Sequence, residues 1–347
     1  MPYSESFSAA VLTEINKPLR IEKLKFPSLG WGQVLVRVSY SSICASQLFE
    51  ISGGRGEDKY IPHLLGHEGY GGVVDVGPGV SRFKIGDPVI LTWIQQPGID
   101  CDPVVYETVE GVKINSGKVS TFSDFAVVSE SRLFIAPSGI SSRFLPLLGC
   151  AALTGAGMIF ELENHSNRSL VIGGGGVGLF AVLALSRVKN IEVHLVETNA
   201  KKREIFQSIV PDVKVYPDLS DSKLLEELEL NGLFSEVYEC TGDIDSLQRA
   251  FSFVSSTGTM IFATHPRDEE LLWINPHDLI KGKKILGSWG GGCRDTSRRD
   301  QVIDFFCRIV DILPRIVSTP FQLSEINSAI EYARGGNVNR VLLELKP

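Results

Sequence analysis

For its length the chain has few cysteines: six thiols in 347 residues, widely spaced and with no Cys-x-x-Cys pair. That excludes a disulfide framework and leaves reduced thiols, some of them available as ligands. Basic charge is not in surplus either. The net charge is −7 with a pI of about 5.5, and the runs at 201–203 and 298–299 are short and flanked by acids. Nothing offers a continuous positive stripe to a phosphate backbone, so nucleic acid is excluded as a partner. No apolar run approaches the roughly 18 residues needed to cross a bilayer, and the N-terminal stretch has no basic segment followed by an apolar one. The expectation is a cytoplasmic protein with no membrane partner.

What is present describes an ordinary globular chain: 43% hydrophobic residues, 22% charged and a mean hydropathy of +0.09. The length favours two domains, each able to bury its own core. To about residue 140, short alternating runs such as VLVRVSY, GGVVDV, PVILTW and DFAVV are separated by Gly/Pro turns. This is the pattern of a twisted, mostly antiparallel β domain. From residue 169 the character changes to strands alternating with helical segments: SLVIG, LFAVLALSRV, IEVHLVE, AKKREIFQSI, VYECTG, GTMIFAT and KKILGSW. That alternation implies βαβ units and a parallel sheet, hence an α/β fold with a doubly wound domain. After about residue 290 two helical segments and a last strand are too little for a third core. We therefore expect 1–151 and 290–347 to form one domain, with 152–289 inserted as the second.

VIGGGGVGLFAVLAL places Gly173, Gly175 and Gly178 in a G-x-G-x-x-G spacing between a strand and a helix, with Gly176 and Val177 inside it. In that context glycines permit a tight turn and a close approach of backbone to a pyrophosphate, while the helix N-terminus offers it free N–H groups. Nineteen residues beyond Gly178, the next strand ends in Glu197, placed to bond the adenosine ribose hydroxyls and repel a 2′-phosphate. This favours NAD over NADP in a Rossmann domain, although Lys201 and Lys202 nearby leave NADP open.

A second constellation is dispersed. Cys44 lies in SSICASQLFE, His67 and Glu68 in PHLLGHEGYGGVV, and Cys150 in LLGCAALTGAGMI. Two thiolates, an imidazole and a nearby carboxylate suit a catalytic zinc with one position left for substrate. The other reading of each cysteine is a small buried hydrophobe.

The run VLVRVSYSSICAS through GHEGYGGVVDVGPGVSRFKIGDPV, then GCAALTGAG and VIGGGGVGL, resembles the zinc-dependent medium-chain dehydrogenase/reductase family of the alcohol dehydrogenase type, in the same order over essentially the whole chain. The resemblance implies a GroES-like β-rich catalytic domain beside the Rossmann domain. It matches Cys44, His67 and Cys150 to the zinc ligands, Glu68 to an acid beside the metal, and Ser46 to the hydroxyl that bonds the substrate oxygen. Trp93 matches a pocket wall, Thr154 a residue packed on the nicotinamide, and Arg340 an arginine reaching the cofactor pyrophosphate. The implied activity is hydride transfer between a nicotinamide cofactor and an alcohol or polyol, or the corresponding aldehyde or ketone. The strand KKILGSW resembles the edge through which the family dimerises, so a homodimer or homotetramer is expected.

Three departures matter. Where many relatives have an aspartate that bonds the zinc-bound histidine, this chain has Gln47, which implies a more Lewis-acidic and less tightly held zinc. Phe49 stands where a relay histidine often lies, leaving proton exit to a cofactor ribose hydroxyl and water, or to a side chain such as Glu50. The segment 93–122 contains only Cys101, so no structural zinc is expected and one metal per chain is. His63 reads as a loop residue rather than a ligand, Cys240 as a neighbour of the cofactor, Cys293 and Cys307 as packed, and His265 as a strand-end residue facing either cofactor or solvent. Two other functions remain open: a zinc-free quinone or enone reductase of the same superfamily, and a catalytically silent nucleotide-binding sensor.

Overall fold

The computed structural model of the chain describes residues 5–345 apart from 164, 190 and 268; the first four residues of the N-terminal stretch lie outside it. The chain divides into two compact units: Met1–Cys150 with Val317–Gly335 and Arg340–Pro347, and Ala151–Ile316 with Gly336–Asn339.

The first unit opens with β1 (Ser6–Leu12), β2 (Arg20–Lys25), β3 (Gln33–Ile43), α1 (Ala45–Ile51), β4 (His63–Leu64), β5 (Glu68–Val76), β6 (Pro88–Thr92), β7 (Tyr106–Glu107), β8 (Lys113–Ile114), β9 (Phe125–Ser129) and β10 (Leu133–Ile135). Period-two alternation decides which faces are buried. In β3, Val34, Val36 and Val38 are fully buried while Arg37 between them is exposed. Pairing is antiparallel in the order β2-β1-β4 in one sheet and β10-β6-β5-β3 in the other, with β9 also on β3. Phe7 packs on Phe26, Tyr106 and Phe125 at ring separations of 4.9, 5.8 and 5.7 Å, tilted or edge-on as aromatic quadrupoles prefer.

The second unit holds α2 (Ala151–Phe160), β11 (Arg168–Ile172), α3 (Gly176–Arg187), β12 (Glu192–Val196), α4 (Ala200–Ile209), β13 (Lys214–Tyr216), α5 (Ser222–Asn231), β14 (Phe234–Glu239), α6 (Ile244–Ala250), β15 (Val254–Phe262), α7 (Pro276–Ile280), β16 (Lys284–Gly287), α8 (Thr296–Arg308) and α9 (Leu313–Ile316). Its strands are all parallel, in the order β13-β12-β11-β14-β15-β16. This is the doubly wound dinucleotide-binding order, and its central strands read as continuous apolar runs because helices cover both faces. Asn199, Asp221, Asp243 and Asp295 cap α4, α5, α6 and α8 by accepting backbone N–H bonds. The chain then returns to the first unit, where β17 (Phe321–Gln322), α10 (Ile326–Arg334) and β18 (Val341–Glu344) extend the larger sheet to β10-β6-β5-β3-β18-β17.

Residues 290–316, expected with the first unit, lie in the second. The reason is aromatic packing: Phe305 and Phe306 of α8 meet Phe160 of α2 at 6.1 Å and Phe180 of α3 at 5.9 Å. All six cysteines are free, but Cys307 is exposed rather than packed, because it falls on the outer face of α8. No single helix among the described residues is long and apolar enough to cross a membrane.

Candidate functional site

Three chain turns in the first unit bring the dispersed ligands together. Cys44 is the residue between the end of β3 and the start of α1, held in extended conformation at φ −94° and ψ 152°. His67 leaves the turn before β5, where Gly66 takes a φ of +90° and a Cβ would fall 2.5 Å from Thr121 Oγ1. Cys150 closes the 3-10 segment Ser142–Gly149, and Gly149 lies so close to β5 and β6 that a Cβ would stand 2.5 Å from Leu91 O and 2.7 Å from Glu68 Cβ. Thr92 Oγ1 donates to Gly149 O at 2.7 Å and fixes that approach. As a result Cys44 Sγ, Cys150 Sγ and a ring nitrogen of His67 lie within 4.8 Å of one another. Three donor atoms gathered this closely suit a single metal ion, which would draw them together.

The electrostatics prepare this cluster for a cation. Cys150 donates its S–H to Cys44, and with the positive charge of Arg340 this holds the Cys44 thiol well below its ordinary value despite burial. The same bond and burial push Cys150 well up. His67 Nε2 and Ser46 Oγ are buried with no hydrogen-bond partner. Buried polar atoms are nearly always satisfied, so orphans gathered around two sulfurs fit a metal and its ligand. Glu68, fully buried at the start of β5, accepts from Ser42 Oγ and stands 3.6 Å from Arg340 Nε; burial raises its carboxyl pKa against the opposing pull of that guanidinium. Arg340 also donates to Ile43 O at 3.2 Å. Gln47 accepts from Cys44 N–H at 3.0 Å and places its amide nitrogen on His67 Nδ1.

Two other clusters could hold a cation by proximity, but their members satisfy one another. His63 donates from Nδ1 to Leu64 O and meets Asp58 through Nε2 at 2.8 Å; it lies in β4, paired with Leu12, rather than in the loop expected. Glu192 and Glu227 are taken by Lys214 at 2.6 and 3.1 Å. Cys101 pairs with Ser129 Oγ at 3.1 Å, with no second thiol beside it among the described residues.

The glycine loop of the second unit joins β11 to α3. Gly173 takes a φ of +93°, and a Cβ on Gly178 would lie 1.8 Å from Gly173 O, so glycine is obligatory there. A Cβ on Gly175 would meet nothing within 4 Å, and as the residue preceding α3 it provides no side-chain cap, leaving the first N–H groups of the helix to an anion. Glu197, just past β12, accepts from Gly174 N–H and from Asn199 N–H, each at 2.7 Å. Lys202 N–H bonds the Asn199 cap at 3.2 Å, and Gly176 and Val177 begin α3. Cys240 is buried against this loop.

Thr154 is buried in α2 with its hydroxyl unpartnered, and Trp93 follows β6 with its carbonyl bonded by Arg132. His265 packs edge-on against Trp289 at 5.0 Å. Two residues escaped the sequence reading. Ser42 bonds Glu68, and Glu239, fully buried at the end of β14, accepts from Thr241 N–H at 2.9 Å, Ser246 Oγ at 3.1 Å and Thr264 Oγ1 at 3.2 Å. The Glu-x-Thr-Gly-Asp run at that strand end was the available signal for the second.

Comparison with known proteins agrees with this geometry. The alcohol dehydrogenase GroES-like domain family matches residues 30–138. S-(hydroxymethyl)glutathione dehydrogenase of Synechocystis sp. is 25% identical over 96% of this chain and 98% of its own, and alcohol dehydrogenase class-3 of Myxine glutinosa is 27% identical over 97% of each. Among solved structures, an alcohol dehydrogenase zinc-binding domain protein from Burkholderia ambifaria superposes with a TM-score of 0.87 at 22% identity, covering 99% of both chains. Benzyl alcohol dehydrogenase from Acinetobacter calcoaceticus does so at 0.83 and 20%, covering 99% of this chain and 100% of its own. With the Cys44, His67 and Cys150 triad and the parallel sheet behind its glycine loop, the chain carries an alcohol dehydrogenase GroES-like domain over residues 30–138 and is similar along nearly its whole length to alcohol dehydrogenase-like medium-chain dehydrogenases/reductases.

Proposed function

We propose that the protein is a zinc-dependent, NAD-linked dehydrogenase that moves hydride between the nicotinamide and an alcohol or polyol, or the corresponding aldehyde or ketone. The observation that carries this reading is the convergence of Cys44, His67 and Cys150 within 4.8 Å, with His67 Nε2 left unpartnered. A zinc held by those three acts as a Lewis acid toward a substrate oxygen. Ser46, whose buried hydroxyl has no partner, would bond that oxygen and take its proton while passing its own on to a cofactor ribose hydroxyl or water. Glu68, fixed by Ser42 and Arg340, keeps a carboxylate beside the ligand set. In the second unit Gly173, Gly175, Gly176, Val177 and Gly178 cradle the pyrophosphate, Glu197 and Lys202 take the adenosine ribose, and Thr154 supports the nicotinamide.

The relatives named above act on S-(hydroxymethyl)glutathione and benzyl alcohol, which have a hydroxyl-bearing carbon in common. A zinc-free reductase or a silent sensor has no use for two buried cysteines aimed at an orphaned imidazole. We further propose a homodimer assembled through the β16 edge. Replacing Cys44 with Ala should abolish zinc retention, measured by metal analysis, and lower kcat/KM for the best alcohol by at least about a hundredfold. Unchanged hydride transfer in that variant sinks the zinc mechanism.

A further inference from the structure

Gln47 is 2% exposed in the first turn of α1, and its amide is spent on two neighbours: Oε1 accepts from Cys44 N–H at 3.0 Å, and the nitrogen faces His67 Nδ1. An amide nitrogen only donates, so in this arrangement Nδ1 is the accepting side of the imidazole and the ring proton sits on Nε2. Nε2 is the ring atom left buried without a partner, and with Nδ1 taken by Gln47 it is the nitrogen open to a metal shared with the two sulfurs. A metal on Nε2 demands the opposite tautomer, with the proton on Nδ1. Two N–H donors, those of Cys44 and of His67 Nδ1, then flank one amide whose oxygen, the only acceptor it has, is turned to Cys44 N–H while its nitrogen, a donor, stands at Nδ1; despite its two lone pairs the oxygen does not face both in this arrangement. Turning the amide over does not help, because it exchanges one facing pair of donors for the other.

Resting on the zinc reading above, we propose that zinc loading and the capping of α1 compete for the one carbonyl oxygen of Gln47. Metal on His67 polarises its Nδ1–H and draws that oxygen away, and the Cys44 N–H loses its buried acceptor. Gln47 is thus a positioning residue that sets how tightly this chain holds zinc and couples occupancy to the start of the helix. A buried N–H without an acceptor costs about 1–3 kcal/mol, which opposes loading directly.

The test is Gln47→Glu, which keeps the length and supplies two acceptor oxygens. Zinc dissociation constants are measured by chelator competition on folded, metal-stripped protein, together with backbone hydrogen exchange over 44–47. We expect the variant to bind zinc at least about tenfold tighter. Zinc should speed exchange at the Cys44 amide in the wild type but not in the variant. Affinities within twofold of each other overturn the inference while leaving the zinc site standing. Absence of zinc binding by both proteins removes the zinc reading and this inference with it. Should the variant fail to fold, the wild type alone decides: a Cys44 amide that exchanges no faster when zinc is added overturns the competition.

Discussion

At the scale of single residues, Glu197 shows how a side chain can do two jobs. Its two oxygens accept the N–H groups of Gly174 and Asn199, which shapes the glycine loop, and in the proposed function the same carboxylate bonds the adenosine ribose. Glu197→Ala should therefore raise KM for NAD and narrow the NAD/NADP preference by roughly tenfold; initial rates with both cofactors measure it, and an unchanged ratio places the discrimination elsewhere. The place of Glu197 beside the glycine loop was legible because it follows from position at a strand end. Cys44, His67 and Cys150 were legible as a set whose chemistry suits zinc, but only the resemblance implied that they meet, since spacings this wide carry no geometry. Gln47 stood out as a departure, yet its second contact could not be read: a bond from its own helix cap depends on the rotamer, not the sequence. Ser42 and Arg340 were harder still, because Arg340 reaches Glu68 from the far end of the chain.

At the scale of elements, the glycine loop and a buried carboxylate bear comparison. Gly178→Ala puts a methyl carbon 1.8 Å from Gly173 O, so β11 and α3 must move apart. NAD affinity, followed by NADH fluorescence, should fall at least about tenfold while zinc content stays unchanged. Glu130, almost fully buried after β9, ties two loops together by accepting from Ser81, Arg82 and Ile99 N–H at 2.9, 2.7 and 3.0 Å. Burial works to raise its pKa, but these three donors win and hold it below the usual carboxylate value. The stabilisation is present above that usual value, about pH 4.3, and is lost as the pH falls through the lower folded one. Glu130→Gln should cost about 2 kcal/mol in urea unfolding at pH 7, with the gap to wild type closing below about pH 4. The placement of α8 was not legible for a related reason. An amphipathic pattern says that a helix has an apolar face, not which core receives it, and only the contacts of Phe305 and Phe306 settle that.

At the scale of the whole molecule, apolar side chains gather along the sequence leading into and out of β16, the edge strand of its sheet: Trp273 is 74% exposed, Ile280 80% and Trp289 65%. An uncovered strand edge with such neighbours invites pairing with a second copy. Sedimentation should find a dimer, and Ile280→Glu with Trp289→Glu should shift it toward monomer at unchanged zinc content; a monomeric wild type refutes the proposed assembly. The order in which the chain builds its sheets has a different consequence. β18 lies between β3 and β17, so the sheet that carries Cys44 stays incomplete until Val341–Glu344 have been synthesised. The parallel sheet of the second unit, by contrast, needs nothing beyond β16. On the ribosome that parallel sheet can form first, while the Tyr40–Ile43 end of β3 waits for a partner some 300 residues downstream. Cys44 and His67 are thus made early, and the sheet beside them is among the last parts finished.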